Sequence, residues 1–398
     1  MDPKIIPALK STLVLALVSW PLLSAQAGTD ASVATSDKVI QPPQTTVESV
    51  YDKIWDLAKL YRDDNNPFVE EIDLIGRFQI DNFNVDSDRG DNNFWEIRRF
   101  RLGADAFFAE RHLEVKAEVD TALHTYDTPS TFYNRMTNLW AKVYVNDAFN
   151  IRFGKFEPHF GYDREFSDTM QKFFERSFFD DQVIGSNDYI SGVEVTGKFG
   201  HFSYLGAIYS TNVDKEFGQF DGGQAYEAEI NYDFSKALNA EKALWTLDYL
   251  HADGKNEHTN VFANYRDAAA TYFDLEKGRF CMVAQIAYGH QIDNKGDVGE
   301  LLLMPSYKIT EKLEFIGRYQ LGIASESNGI STLDRPQHTL GTFTGDNYNA
   351  AYLGLDYYIY GQKLKLMFGE EYASLRGGTG PAAGYNGWTT WVGFRLYF

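Results

Sequence analysis

From Glu70 to Phe398 apolar and polar residues alternate with a period of two. Leu113, Val115, Ala117 and Val119 interleave with Glu114, Lys116, Glu118 and Asp120, and Tyr226, Ala228, Ile230 and Tyr232 with Glu227, Glu229, Asn231 and Asp233. Successive side chains of a strand point to opposite faces, so each run reads as a strand with one apolar and one polar face. Sixteen such runs are expected, near 70–83, 94–109, 111–124, 134–146, 148–159, 188–199, 201–212, 223–234, 243–252, 260–274, 278–290, 298–309, 311–324, 346–360, 362–374 and 387–398.

The connections between the runs carry independent information, because long ones alternate with short ones. The long set is 84–93, 125–133, 160–187, 212–222, 253–259, 291–297, 325–345 and 374–386. The short set includes Glu110-Arg111, Asp147-Ala148, Gly200-His201, Thr310-Glu311 and Gly361-Gln362. Segregation of loop length by parity belongs to a transmembrane β-barrel with short periplasmic turns and longer external loops. A soluble sandwich has no reason to show it. In lipid every peptide group must be paired within the protein, so a sheet can cross only if it closes on itself. The alternation therefore predicts an all-β chain: a sixteen-stranded antiparallel transmembrane β-barrel over 70–398, with both barrel ends in the periplasm.

The segment before the barrel reads differently. Lys4 and Lys10, the apolar stretch Leu13 to Leu23 and Ala25-Gln26-Ala27 predict a signal peptide over 1–27. Residues 28–69 read as a linker followed by a short periplasmic helix, since Val47, Val50, Ile54, Leu57 and Tyr61 form an amphipathic stripe. Thr45 or Thr46 is the expected cap, and the segment from Asp63 to Pro67 the expected stop. Docking on the barrel and a short trimeric coiled coil both fit the stripe.

Composition narrows the function. The chain has 37 basic and 56 acidic residues, a net charge of −19, which disfavours nucleic acid as a partner. Mean hydropathy is −0.37, which excludes a helical membrane bundle. A single cysteine, Cys281, excludes a disulfide framework and a Cys-rich metal site. The eight histidines show no zinc-ligand spacing, and Gly377-Gly378-Thr379-Gly380 lacks the Lys-Ser/Thr of a phosphate loop. Asp86 to Asp91 matches a calcium loop only in part. His251 with Asp248 and Asp253 reads as a polar strand end, not a catalytic dyad. The sequence thus points to no catalytic residues, no cofactor and no metal.

Alternation also assigns the inward face. Arg77, Arg101, Arg152, Arg318 and Arg395 sit between apolar or small neighbours of opposite parity, and Arg99 shares the parity of Arg101 and Asp105, opposite Phe100, Leu102, Ala104 and Phe108. An arginine facing lipid at mid-depth costs about 2–4 kcal/mol, so these six are expected to line the lumen. They either guide a solute or pair with lumenal acids such as Asp73, Asp105, Glu118 and Asp356. Arg395, Arg77, Arg101 and Arg99 are expected as a rising series on one arc of the wall, cancelled or not by Asp73, Asp81 and Asp105.

Four segments resemble the phosphate-selective porin O/P family of outer-membrane porins: Leu74-Ile75-Gly76-Arg77, Glu96 to Gly103, Gly154 to Gly161, and Phe174-Glu175-Arg176-Ser177. The closing Phe398 resembles the terminal aromatic by which outer-membrane barrels are recognised. The resemblance implies a homotrimer with the third external loop, 160–187, folded into the lumen. Arg164, Lys172, Glu175 and Arg176 would then lie at the constriction. It also implies a passive channel for small hydrophilic solutes or inorganic anions, in contact with outer-membrane lipid and lipopolysaccharide. The loop holds Asp163, Glu165, Asp168, Glu175, Asp180 and Asp181 against three cations, and no lysine cluster is evident, which departs from a phosphate-conducting pattern. The expected protein is an outer-membrane diffusion porin with a possible anion or phosphate preference. The alternatives are a dedicated phosphate channel and a barrel serving as adhesin or enzyme scaffold.

Overall fold

The computed structural model describes residues 49–398 apart from 125–131, 186–187, 213–215, 219, 221–222, 254–261, 263–264, 293–294 and 333–334. The expected signal peptide, the linker and Thr45 and Thr46 lie outside the described residues. Sixteen strands form the wall: β1 (Val69–Ser87), β2 (Gly90–Phe108), β3 (Leu113–Thr121), β4 (Tyr133–Asn146), β5 (Phe149–Phe156), β6 (Ile190–Phe199), β7 (Phe202–Ser210), β8 (Gln224–Asp233), β9 (Lys242–Ala252), β10 (Tyr265–Lys277), β11 (Phe280–Gln291), β12 (Asp297–Lys308), β13 (Leu313–Ala324), β14 (Asn347–Tyr360), β15 (Leu364–Arg376) and β16 (Tyr385–Tyr397). Each pairs antiparallel with its neighbours in the chain, and β16 pairs with β1 from Gly387 opposite Ser87 to Tyr397 opposite Arg77. The ring is closed, and no described helix is long and apolar enough to cross a membrane.

The expected alternation sorts the side chains as predicted. Outward positions such as Ile230, Leu247, Ile286, Leu353, Phe368 and Val392 are exposed, whereas Glu227, Glu229, Asp248, Gln285, Asp356 and Lys365 are buried inside. Outward aromatics gather toward the two ends of the strands, with Phe199, Phe202, Phe280 and Tyr307 beside short turns and Tyr226, Tyr249, Tyr288 and Trp388 beside long loops. An apolar band edged by aromatic girdles is the surface a bilayer requires.

Three boundaries differ from expectation. The connection 84–93 is not a long loop: β1 and β2 pair as far as Ser87 opposite Gly90, leaving a two-residue turn at Asp88-Arg89. That turn is held by Asp88, which accepts from the Asn386 backbone (2.9 Å) and side chain (3.0 Å). The helix α1 is shorter than its apolar stripe, Val50–Asp56, capped by Ser49 in a reciprocal box with Asp52. The chain then turns into a short strand, Lys59–Arg62, paired with β1. Finally, 325–345 contains a two-stranded ribbon joining Ile330–Ser331 to Thr344–Gly345, and a 3₁₀ turn at Gln337–Leu340. The helix docks through aromatics: Tyr51 stacks on Tyr360 (5.4 Å), and the indole of Trp55 donates to the Tyr397 carbonyl. Its other apolar residues, Val50, Ile54 and Leu57, remain exposed.

The terminal aromatic has a made-to-measure seat. The backbone of Phe398 exchanges two hydrogen bonds with Gly76 (2.9 and 3.0 Å), and its ring lies where a Gly76 side chain would be. Gly76→Leu therefore displaces the ring from the seam that closes the barrel. Overpacking of this kind costs ~1–3 kcal/mol. Heat-modifiable electrophoresis should show Gly76→Leu unfolding at lower temperature than wild type, while Gly206→Leu, where a side chain meets nothing, is unchanged.

Candidate functional site

A ring of sixteen strands encloses more space than its own inward side chains fill. Here the space is taken by the connection between β5 and β6, residues 157–189, which runs inward across the lumen. Its first turn is fixed to one side of the barrel. The Gly161 amide donates to Asp248 on β9 (2.9 Å) and the Tyr162 amide to Gln285 on β11 (2.9 Å). Two short helices follow, α2 (Tyr162–Glu165) and α3 (Phe178–Val183), the latter capped by Ser177. Between them the loop reaches the other side. Phe174 stacks on Trp391 of β16 (5.0 Å), Phe173 meets Tyr352 of β14 edge-on (5.2 Å), and Asp168 meets the arginines of β1 and β2. β1 and β9 face each other across a sixteen-strand ring, so the loop spans the full lumen. Phe160, Phe178, Phe179, Val183 and Ile184 are fully buried and anchor the return.

The strand register places the arginines on two levels, which corrects the expected rising series. Arg77 lies directly opposite Arg101, and Gln79 lies between Arg99 on one side and Arg395 on the other. Each carries a carboxylate partner. Arg77 bonds Asp168 and Glu118 (2.6 Å). Arg99 Nε meets Asp168 at 2.8 Å and its Nη1 donates to Gln79 (2.9 Å). Arg101 lies 3.5 Å from Asp120, 3.7 Å from Asp168 and 3.8 Å from Glu118, and donates to the Tyr189 hydroxyl (2.6 Å). Arg395 bonds Asp81. The neutralising acids are thus Asp168, Glu118, Asp120 and Asp81. Asp105 pairs with Lys116 instead (3.3 Å), and Asp73 faces Asp105 two levels beyond the Arg77–Arg101 pair, past Ile75 and Gly103.

The remaining expected residues are also lumenal and also paired. Arg152 meets Glu194 (2.5 Å) and donates to His159 (2.7 Å). Arg318 meets Glu371 (3.1 Å) and donates to the Glu175 carbonyl (2.6 Å). Within the loop, Arg164 and Arg176 share Glu157 (2.8 and 2.5 Å) and Asp188 (3.3 and 3.5 Å). Lys172 reaches Glu314 (2.7 Å) and Ser306 (3.1 Å). Arg164 and Arg176 therefore brace the loop internally, whereas Lys172 and Glu175 tie it to other elements.

Two constriction residues were hidden from pattern reading. Arg98 should face lipid by parity, but the register of β1 against β2 skips at Gln79/Ile80, and the bulge turns Arg98 inward to 3.6 Å from Glu175. Arg335 belongs to the long connection 325–346, which sequence offers no reason to place inside. It is bound by Glu175 (2.6 Å), Asp81 (3.4 Å) and Glu96, so a second external loop enters the mouth of the lumen.

Below the loop lies a cavity of about 760 Å³ toward the periplasmic turns. Lys172, Lys242, Lys308, Asp274, Glu276 and Glu314 line it, with Tyr162, Phe166, Met170 and Tyr358. No group of three or more potential metal ligands is arranged to hold an ion among the described residues.

A closed sixteen-strand barrel with an apolar belt, a polar lumen and an inward third loop defines an outer-membrane porin. The comparisons with known proteins agree. The profile of the family described as phosphate-selective porin O and P matches residues 72–300, more than half the chain, and the chain belongs to that family. Among solved structures it is similar to an anion-selective porin from Comamonas acidovorans, at 12% identity and a TM-score of 0.58, over 82% of this chain and 99% of that one. It is also similar to OprB of Pseudomonas putida, at 12% identity and a TM-score of 0.56, over 82% of this chain and 94% of that one. The outer-membrane channel DcaP of Acinetobacter baumannii matches at 14% identity and a TM-score of 0.53, over 85% of this chain and 100% of that one. No curated protein matches the chain.

The inward loop also has an acid–base character. Burial works against the charge of Asp168, but Arg77, Arg99 and Arg101 outweigh it and hold the carboxyl well below the usual carboxylate range. Burial pushes the Glu175 carboxyl up to about 7, against the pull of Arg98. Burial and the neighbouring Asp163 carboxylate push Asp180 up to about 7 as well. Both groups bind their protons more tightly in the docked loop than in water, so docking loses free energy as pH rises through about 7. Lowering the pH through that value removes negative charge from the constriction. The reversal potential in a salt gradient should shift toward anions between pH 8 and 6, and Glu175→Gln should remove part of that shift.

Proposed function

We propose that the barrel passes small hydrophilic solutes passively, with a size limit set by the third external loop and discrimination set by the charges around it. The observation that carries this reading is the loop's path from Asp248 on β9 to the arginines of β1 and β2, which leaves solutes only the space beside it. No reaction is assigned to any residue. The family's description supports a preference for anions. Against a dedicated phosphate channel stands the pairing of each expected arginine with a carboxylate.

The proposal includes three further elements. The leader is removed after Ala27, and the mature chain resides in the outer membrane in contact with lipid and lipopolysaccharide. The protein assembles as a homotrimer through the outer face of β2, β3 and β4. There Ala104, Ala117 and Leu139 lie side by side, as do Ala106, Val115 and Ala141. Small side chains let two walls approach closely.

Removing residues 166–180 should raise single-channel conductance in planar bilayers and admit larger sugars, with the heat-modifiable barrel intact. An unchanged size limit would remove the loop from the permeation path. Ala117→Arg should reduce the cross-linked trimer to monomer without loss of the folded barrel, since the change faces outward and leaves strand pairing alone.

A further inference from the structure

Asp168 has an unusual relation to its surroundings. Its two oxygens are divided among three guanidinium groups: Oδ1 to Arg77, and Oδ2 to Arg99 (2.8 Å) and Arg101 (3.7 Å). All three arginines and the aspartate are more than nine-tenths buried. Arg77 and Arg101 have Glu118 as a second acid, and Arg101 has Asp120, but Arg99 has no carboxylate other than Asp168 among the described residues. Each guanidinium offers Asp168 one nitrogen, and charge-assisted contacts of this kind are strong ones by which arginine holds a carboxylate.

The carboxylate arrives on a short arm. Ser167 and Met170 close a turn around it (2.8 Å between the Met170 amide and the Ser167 carbonyl), and both are exposed. Met170, with Gln171 and Lys172, lines the 760 Å³ cavity. Asp168 alone in this turn is driven into the wall, so it can leave the arginines with little of the loop following. Arg99 would then be left with no carboxylate within ion-pair distance among the described residues, beside a turn whose Met170 lines the cavity.

We infer that Arg77, Arg99 and Arg101 form a receptor for the carboxylate group of a permeating solute, and that Asp168 is its resident, tethered competitor. This rests on the porin reading and names a solute class for it: small organic acids. A tethered group competes at high effective concentration, so a free carboxylate binds the wild-type site weakly and leaves quickly. A channel needs that combination, because a site that holds its solute tightly blocks conduction. Phosphate can also present two oxygens to a guanidinium, so it is the comparison anion; the group that already fills this site is a carboxylate.

The experiment measures block of single-channel chloride current by succinate, acetate and inorganic phosphate, in wild type, Asp168→Asn, Asp168→Glu and Asp168→Asn/Arg99→Gln. Removing the competitor should lower the half-blocking concentration of succinate and acetate at least about tenfold, a change of ~1.4 kcal/mol, with longer blocked events. Phosphate block should tighten less. Asp168→Glu restores a tethered carboxylate and should bring the half-blocking concentration back from the Asp168→Asn value toward that of wild type, and Arg99→Gln in the Asn background should reverse the gain. Equal block in wild type and Asp168→Asn overturns the inference, as does a gain confined to phosphate or one that survives Arg99→Gln. Should Asp168→Asn not assemble, Arg99→Gln alone decides: block by carboxylates weaker than in wild type supports the receptor, and unchanged block overturns it. A wild-type protein that conducts nothing would instead sink the porin reading.

Discussion

The requirement that every peptide group in lipid find a partner inside the protein governs this structure. It rules out open edges, so the last strand must return to the first, and Gly76 and Phe398 are shaped to let it do so. Closure in turn leaves an interior to be filled. A wall of sixteen strands cannot fill it with side chains alone, and an unfilled lumen would pass solutes with little discrimination. The inward third loop solves a problem that the closed ring creates.

Holding that loop in a wet lumen takes both kinds of contact. Apolar burial fixes its return, through Phe160, Phe178 and Phe179. Charge fixes its crossing, through Asp168 on β1 and β2, Lys172 on β13 and Glu175 with Arg335. Buried ion pairs of this kind contribute position more than net stability, because desolvation offsets much of their attraction. Losing one partner is costly, since it strands the other charge. The arginines are thus at once part of the wall and part of the latch, and a solute that meets them must contend with the acids already there.

Much of this was legible in the sequence. Alternation with period two located all sixteen strands and put Arg77, Arg99, Arg101, Arg152, Arg318 and Arg395 on the inner face, because side-chain parity is a local property of a strand. The unequal connections gave the topology for the same reason. What parity could not carry was any break in itself. The bulge beside Gln79 sends Arg98 inward against the pattern, and the extended β1–β2 hairpin replaced an expected loop because polar strand ends beyond the bilayer look like loops. Nor could it show where a loop goes once it leaves the wall. Arg335 reaches Asp81 and Glu175 across more than a hundred residues of sequence, and no local signal announces that. The helix before the barrel was legible too, but its docking face was not: Val50, Ile54 and Leu57 of the apolar stripe stay exposed, and Val50–Asp56 packs on the rim through Tyr51 and Trp55.

The account depends on one placement: the turn carrying Asp168 lies against β1 and β2, inside the barrel and across from where the loop begins. Thiol cross-linking in intact outer membranes tests it most directly. Cysteines would replace Asp168 and Arg99, with Cys281 changed to serine, so that the pair loses both charges together. A short bifunctional maleimide should join the two within one chain, forming an internal loop that alters electrophoretic mobility while the barrel stays folded. If each cysteine reacts singly with a small maleimide but the pair is never joined, the loop does not cross the lumen and the account is wrong.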